Sequence, residues 1–468
     1  MISLLKADSN YAIREFQIED DPHRNNFLRD RDRILFSKEF RRLGGKTQVF
    51  INGFDDHIRN RLTHTLEVAQ IAQTLAHTLG LDEDLCTAIS FAHDVGHTPF
   101  GHTGERILNH FTNNCDPKNR LSNPEPEDFG FKHNWQGLKV VSSLEKVTTQ
   151  YNGLNLTNFT KWGILNHSKL KYNPCDYKQD EKCTYLNCNR DCISSDNEFQ
   201  LSHYEKYNIK NESNSWTIEG LIVGVADEIA QRHHDVEDGL LAGIIKVNDF
   251  IDSFKGAFNS FLRERDLKLL KNIKNSSGAN SSLHDISSLI LNFYSHYLIE
   301  NSKLHLHSLI IEYKINNIND FYNKKKEIHN EMKIQDLIDF ELDFKTSDKI
   351  FKEFLSKKII FSHLAQSMDG KANYILRKLI NAYMINPNQL PDGTVNTLLE
   401  NYSTKINDNH ILSYENNRDM INTLSRENNS KFQLTLARTI TDFIAGMTDS
   451  FAIAQFRLLY GTKNNWHY

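Results

Sequence analysis

Apolar positions recur at three- and four-residue spacing along most of the chain, the period of a helix with one buried face. Leu62, Leu66, Ala69, Ala72, Leu75, Ala76 and Leu79 follow this period and stop at Gly80, a residue type that ends helices. A second helix is expected from Asp82 through Leu85, Ile89 and Ala92 to Gly96, with acidic residues at its start. A third begins near Thr103 and carries Ile107 and Leu108. The pattern continues at Trp135–Leu144 and Leu221–Leu241, and ITDFIAGMTDSFAIAQFRLLYG reads as one final apolar helix. Period-two alternation is scarce, with a short hairpin around Thr47–Gly53 as its one candidate. The pattern predicts an all-α protein.

Three stretches interrupt it. Residues 168–215 are polar, rich in Asn, Asp and Tyr, and read as an insertion. NIKNSSGANSS (Asn272–Ser282) has the composition of a flexible linker, and NPNQLPDGT (Asn386–Thr394) breaks the later helices. Cys175, Cys183, Cys188 and Cys192 crowd the first stretch. Their spacing differs from paired Cys-x-x-Cys zinc knuckles, so a polar insertion that carries thiols is the plainer reading. No window approaches the roughly 18 apolar residues of a membrane span, and MISLLKADSN lacks the signal-peptide pattern. A cytoplasmic protein with no membrane partner is expected. A formal charge of −5 over 468 residues argues against nucleic acid as the main partner.

The densest chemistry lies in FAHDVGHTPFGHTGERIL (Phe91–Leu108), with His93, Asp94, His97, His102 and Glu105 among helix-breaking residues. Adjacent helical residues diverge by roughly 100°, so His93 and Asp94 can serve one cation only at a helix end, which Gly96 supplies. Further ligands are sought on well-formed helices. His64 lies at the edge of an apolar face, and Asp227 lies in VGVADEIAQRHHDVEDGL. Any one of these residues alone is more often structural, so the argument rests on the set. Two imidazoles and two carboxylates suit Mn²⁺, Mg²⁺, Fe²⁺ or Co²⁺ with open positions, rather than a closed structural zinc. His234-Asp235 repeats the pair with no helix stop after it. Asp235 is therefore read as a pocket-lining acceptor, and His234 is left unassigned.

The ordered set His64, His93-Asp94 and Asp227 resembles the HD superfamily of metal-dependent phosphohydrolases. Six segments in order narrow this to the deoxyguanosine triphosphate (dNTP) triphosphohydrolase family: DRDRILFSKEFRRLGGKTQVF, NRLTHTLEVAQIA, HDVGHTPFGHTGE, FKHNWQGLKVV, ADEIAQRHHDVEDG and DFIAGMTDSFA. The resemblance implies an HD-type helical core over residues 1–245, with the polar insertion inside it, and an additional C-terminal helical region over 246–468 packed on that core. It implies hydrolysis of dGTP, or other dNTPs, to the deoxynucleoside and inorganic triphosphate. His64, His93, Asp94 and Asp227 match the ligands of one divalent metal per chain, with Mn²⁺ or Mg²⁺ foremost and Fe²⁺, Co²⁺, Ni²⁺ or Zn²⁺ as alternatives. His102 and Glu105 match the catalytic pair, and His133 a further active-site histidine. Arg61 matches a phosphate-binding arginine, and Gln48 and Asp235 match contacts to the sugar 3′-hydroxyl. Homo-oligomers, hexamers among them, and nucleotide effectors are also implied.

These roles make physical sense. A carboxylate beside an imidazole favours the imidazolium and fixes its orientation, so His102 with Glu105 can act as general acid, or as base toward water. The planar fork of Arg61 suits phosphate. His97 lies in a turn and is expected to be structural. Gln231 departs from the family pattern, where Tyr is frequent at that position against the sugar. Two rivals stay open at this stage. One is another HD phosphohydrolase, a 5′-nucleotidase or a two-metal phosphodiesterase, with His97, His102 and His133 as spare ligands. The other is a nucleotide-sensing protein without turnover, against which the chemically intact set argues.

Overall fold

The computed structural model describes residues 1–48, 59–113, 115, 130–146, 148–168, 173–174, 192–193, 212–275, 279–406, 414–427 and 429–461. Helices dominate. The first group is Asn26–Leu35 (α1), Lys38–Arg42 (α2), Arg61–Leu79 (α3), Glu83–Ala92 (α4), Gly101–Thr112 (α5), His133–Lys139 (α6) and Asn158–Asn166 (α7). Glu212–Ser215 (α8) and Ile218–Leu241 (α9) follow the polar stretch. Then come Val247–Phe258 (α10), Glu264–Asn275 (α11), Ala279–Glu312 (α12), Ile318–Glu331 (α13) and Leu342–Ile360 (α14). The last are His363–Ile385 (α15), Asp392–Ile406 (α16), Tyr414–Arg426 (α17), Ser430–Ala445 (α18) and Asp449–Tyr460 (α19). Among the described residues, the one strand pair is Asn173–Pro174 parallel to Cys192–Ile193. The all-α expectation holds, and no described helix is long and apolar enough to cross a membrane.

The helix ends that aim the later site are set by caps. Asn60 opens α3 by accepting the Thr63 amide, and Gly80 closes it at φ 73, a conformation that costs glycine little. Asp82 caps α4 through the Leu85 amide, and Thr217 caps α9 through the Gly220 amide. Buried Asp30 of α1 accepts the Thr157 amide at 2.9 Å and the Thr157 and Thr160 hydroxyls at 2.7 Å, fixing the start of α7.

Several boundaries differ from the periodicity reading. The final apolar stretch is two helices, because the Thr448 side chain caps the Phe451 amide and restarts the chain after Gly446-Met447. The Asn272–Ser282 linker is mostly helical: α11 runs to Asn275 and α12 resumes at Ala279. The third helix starts at Gly101 rather than Thr103. After α6, residues 140–144 form one π-helical turn. Of the expected hairpin, Thr47 pairs with Asn60 in an antiparallel bridge, and 49–58 lie outside the described residues. So do Cys175, Cys183 and Cys188.

One large hydrophobic cluster runs from Ile2 and Leu5 through α3, α4 and α9 to α14. A second packs α5, through Ile107, Leu108 and Phe111, against α15, α18 and α19. A third joins the end of α4 (Ala88, Ala92, Val95) to Trp135 and Leu138 of α6 and to Ile164 and Leu165 of α7. Gly96 is the point of closest approach there. A Cβ on it would lie 2.0 Å from the His133 carbonyl oxygen and 2.1 Å from the Gly137 nitrogen. Gly96→Ala must therefore push α6 away from the turn. Overpacking of this kind costs about 1–3 kcal/mol, so chemical denaturation should show a loss of at least that size.

Candidate active site

His64 lies one turn into α3, His93 and Asp94 follow the last turn of α4, and Asp227 projects from the middle of α9. Ligand atoms of His64, His93 and Asp94 lie within 4.8 Å of one another. His64 Nε2 is 3.0 Å from Asp227 Oδ1 and 3.8 Å from Asp94 Oδ2. His93 Nε2 is 3.5 Å from Asp94 Oδ1 and 3.8 Å from Asp227 Oδ1. The four residues expected to ligate a metal thus converge on one point.

The proton positions fit such an ion. A neutral imidazole has one N–H and one acceptor. His93 Nδ1 lies 2.6 Å from the Ser90 carbonyl, which can only accept, so Nδ1 carries the proton. Its Nε2 is buried without a hydrogen-bond partner and holds a lone pair toward the carboxylates. His64 reaches the same state by a longer chain. Burial holds His234 down to about 3, so it is neutral, and its Nε2 donates to Glu67, which the histidines and Arg59 keep ionised. His234 Nδ1 is then an acceptor and takes the proton of His64 Nδ1 at 3.2 Å, freeing His64 Nε2. Metal-binding imidazoles are commonly oriented by such outer partners.

Electrostatics keep both aspartates charged. Burial alone would raise Asp94, but Arg61, His93, His97 and His64 outweigh it and hold the carboxyl well below its usual range. Arg61 Nη1 donates to Asp94 Oδ2 at 2.6 Å, with the guanidinium buried. Asp227 is also held low despite its burial, by His64 and His93 beside it. His97, expected as a turn residue, faces this cluster. Its Nε2 is 3.2 Å from Asp94 Oδ1, and its ring stacks on His133 with centroids 3.8 Å apart. Burial, Arg61 and His133 hold His97 well below the usual imidazole range.

A second array adjoins the first. The His102 side chain is 64% exposed, with Nδ1 3.5 Å from buried Glu105 Oε2. The same oxygen is 3.1 Å from His133 Nδ1, and Glu105 Oε1 accepts the His133 amide at 3.3 Å. Despite burial, His133 and His102 keep the Glu105 carboxyl well below its ordinary range, so it is an anion between two imidazoles. α5 reaches this position from a left-handed residue, Phe100 at φ 61. Such backbone is costly outside glycine. It is held by Asp449 at the start of α19, which accepts the Phe100 amide at 2.8 Å and the Thr47 hydroxyl.

His102 opens onto a cavity of about 240 Å³ that is also lined by Gln48, Arg106, Gln231, Asp235 and Lys352. Gln48 and Asp235 therefore share one cavity, and Gln231 stands with them. Burial pushes the Asp235 carboxyl up to about 7. A larger cavity of about 480 Å³ lies behind Val95 and Gly96, and none of the expected site residues lines it.

Periodicity did not reveal His167, Glu67, the His234 contact or Asp449. His167 ends α7 and turns inward, its Nδ1 2.7 Å from the Ile164 carbonyl and its Nε2 3.3 Å from His133 Nε2. Burial, His93 and His133 lower it to about 3. The available signal was a histidine closing an apolar helix, as His93 does. The His234 relay carries a prediction. His234→Ala should weaken Mn²⁺ binding about 10- to 100-fold by titration calorimetry, with thermal unfolding of the metal-free protein little changed. His233→Ala should weaken binding less, since its Nδ1 reaches the relay only at Glu67 Oε2, 3.5 Å away, while its Nε2 faces Ser287 and Glu237.

Residues 61–179 match the HD domain, and residues 409–458 match the phosphohydrolase-associated domain. The chain is similar to a deoxyguanosinetriphosphate triphosphohydrolase-like protein of Rickettsia rickettsii, 33% identical over 94% of this chain and 93% of that one. Proteins of the same description from Rickettsia typhi and Rickettsia prowazekii are each 33% identical over 95% of this chain and 94% of theirs. With that likeness over almost the whole length and an HD domain holding His64, His93 and Asp94, the chain belongs to the dNTP triphosphohydrolase family of the HD superfamily.

Proposed function

We propose that this phosphohydrolase cleaves dGTP, and other dNTPs, to the deoxynucleoside and inorganic triphosphate by attack of water at the α-phosphorus. His64, His93, Asp94 and Asp227 would hold the divalent cation. When bound, such an ion polarises a phosphoryl oxygen and lowers the pKa of water. The observation that carries the proposal is the seating of exposed His102 on buried, ionised Glu105. This pair stands between the carboxylate–imidazole cluster and the cavity that holds Gln48 and Asp235.

The leaving 5′-oxygen needs a proton, because an alkoxide is a poor leaving group. His102 can deliver it: its Nδ1 faces the Glu105 carboxylate, and solvent exposure lets it reload. The same pair serves as base if the proton moves the other way. Arg61 stands beside Asp94 with a fork of donors for phosphate oxygens. Gln48 and Asp235 can accept from the sugar 3′-hydroxyl, and Gln231 supplies an amide where the family often has a tyrosine ring. The proposal takes residues 1–245 as the catalytic part, 246–468 as helices packed on it, and a cytoplasmic homo-oligomer under nucleotide control as the working form.

Incubation with dGTP and Mn²⁺ should give deoxyguanosine and intact triphosphate on anion exchange. His102→Ala should lower kcat by about 10²–10⁴-fold and leave metal binding intact. Release of monophosphate or pyrophosphate would instead indicate another HD hydrolase, and nucleotide binding without turnover would indicate a sensor. A pH effect follows from Asp235. Its carboxyl is protonated below about 7 and gains acceptor strength above it. KM for dGTP should therefore fall as pH rises from 6 to 8, and Asp235→Asn should remove that part of the dependence.

A further inference from the structure

We propose that the cavity of about 480 Å³ behind Val95 and Gly96 is a second ligand site, one that takes an uncharged purine deoxynucleoside. The site follows from the cavity's own walls, whereas the choice of a deoxynucleoside rests on the proposed reaction, which would release one.

The walls come from α2, the turn after α4, α6 and the π-helical turn, and from α16, α18 and α19 of the C-terminal half. The volume falls within the roughly 300–1,000 Å³ of small-molecule sites. The cavity reaches the surface beside Arg42 and Phe451, which are both exposed. Val95, Leu144, Phe443 and Phe451 supply apolar and aromatic contact.

The polar groups on the walls lack donors. Glu39 Oε1 accepts from Arg42, while Oε2 is buried without a hydrogen-bond partner. Thr439 is 4% exposed, and its Oγ1 is likewise unpartnered. Buried polar atoms left in this way are costly, and a ligand that brings N–H or O–H groups removes the cost. Charge narrows the class further. Among the described residues, Arg42 is the cation on these walls, and Glu39 is paired with it. Asp442 is matched by Lys139 and accepts Gln136 Nε2 at 3.1 Å. No uncompensated positive charge is left there for a phosphate group. A purine has flat apolar faces with N–H donors at its edge, and a deoxynucleoside adds hydroxyls without charge.

An occupant would pack against the turn that carries Asp94. Gly96 stands between the cavity and the backbone of α6, at the His133 carbonyl and the Gly137 nitrogen. Lys46 Nζ donates both to the His97 carbonyl and, at 2.9 Å, to the carbonyl of Ala445 on the cavity wall. The cavity is thus bounded by backbone that also places Asp94 and His133.

Equilibrium dialysis of labelled deoxyguanosine against the full-length protein tests the site. Gln231→Trp fills the cavity that His102 opens onto and so removes binding there. This variant should bind one deoxyguanosine per chain. Adding Thr397→Trp, from a half-buried position on the larger cavity's wall, should abolish that binding. Glu39→Gln in the Gln231→Trp background keeps the side chain's shape and should weaken binding about 10-fold or more. It serves as well if the double tryptophan variant does not fold. No binding by the folded Gln231→Trp protein would overturn the site, and binding unchanged by either folded second substitution would overturn its placement. dGTP bound there as tightly as deoxyguanosine would overturn the uncharged ligand. Hydrolysis of dGTP by the parent protein is assayed separately. Deoxyguanosine release without the second site leaves the proposed function standing, and the second site without release supports the site and overturns that function.

Discussion

The chemistry of this protein depends on which nitrogen of each buried imidazole carries the proton. A histidine can offer a lone pair to a cation only if its other nitrogen has somewhere to donate. His93 and His167 donate to carbonyls of the helices they close. His64 donates instead into His234, which is locked by Glu67. His133 donates to Glu105. Four rings are thereby turned toward Asp94 and Asp227 by partners that lie outside the cluster. The directions follow from acceptor chemistry, whichever residues finally touch an ion.

That orientation requires close packing at two places. Gly96 lets α6 approach the turn after α4, and the approach brings His133 into the cluster, with its ring on His97. Asp449, near the far end of the chain, holds Phe100 in a left-handed conformation and so sets where α5 begins. His102 and Glu105 take their positions from that start. The C-terminal helices are therefore tied to the site through the backbone at Phe100, and through the apolar packing of α5 on α15 and α18.

Much of this could be read along the chain. The periods of α3, α4 and α9, with their caps, are local properties, and the structure brings His64, His93, Asp94 and Asp227 together. The misreadings share one cause. Helical period cannot see a restart when both sides are apolar, so α18 and α19 were fused across Gly446-Met447. Nor can composition tell a linker from the ends of helices, as at Asn272–Asn275 and Ala279–Ser282. His167, Glu67 and Asp449 were missed because each acts through a tertiary contact: a ring facing a ring, a carboxylate behind a ligand, an aspartate reaching a distant amide. Residue type alone gives such positions a structural reading.

Arg61 shows why the cluster favours a polyanion. Its guanidinium is buried on Asp94, one of the carboxylates a cation would also use. Two cationic groups on one carboxylate leave an excess of positive charge in a region where water is scarce and charges interact strongly. Asp227 offsets part of it. A phosphate substrate would carry the compensating charge and the acceptor oxygens, and Arg61 has an unpartnered Nε–H among its donors. The same arithmetic disfavours neutral substrates, which would leave the guanidinium and cation facing each other uncompensated. An arginine packed on an aspartate that a cation would also use would thus bias the cluster toward phosphate oxygens.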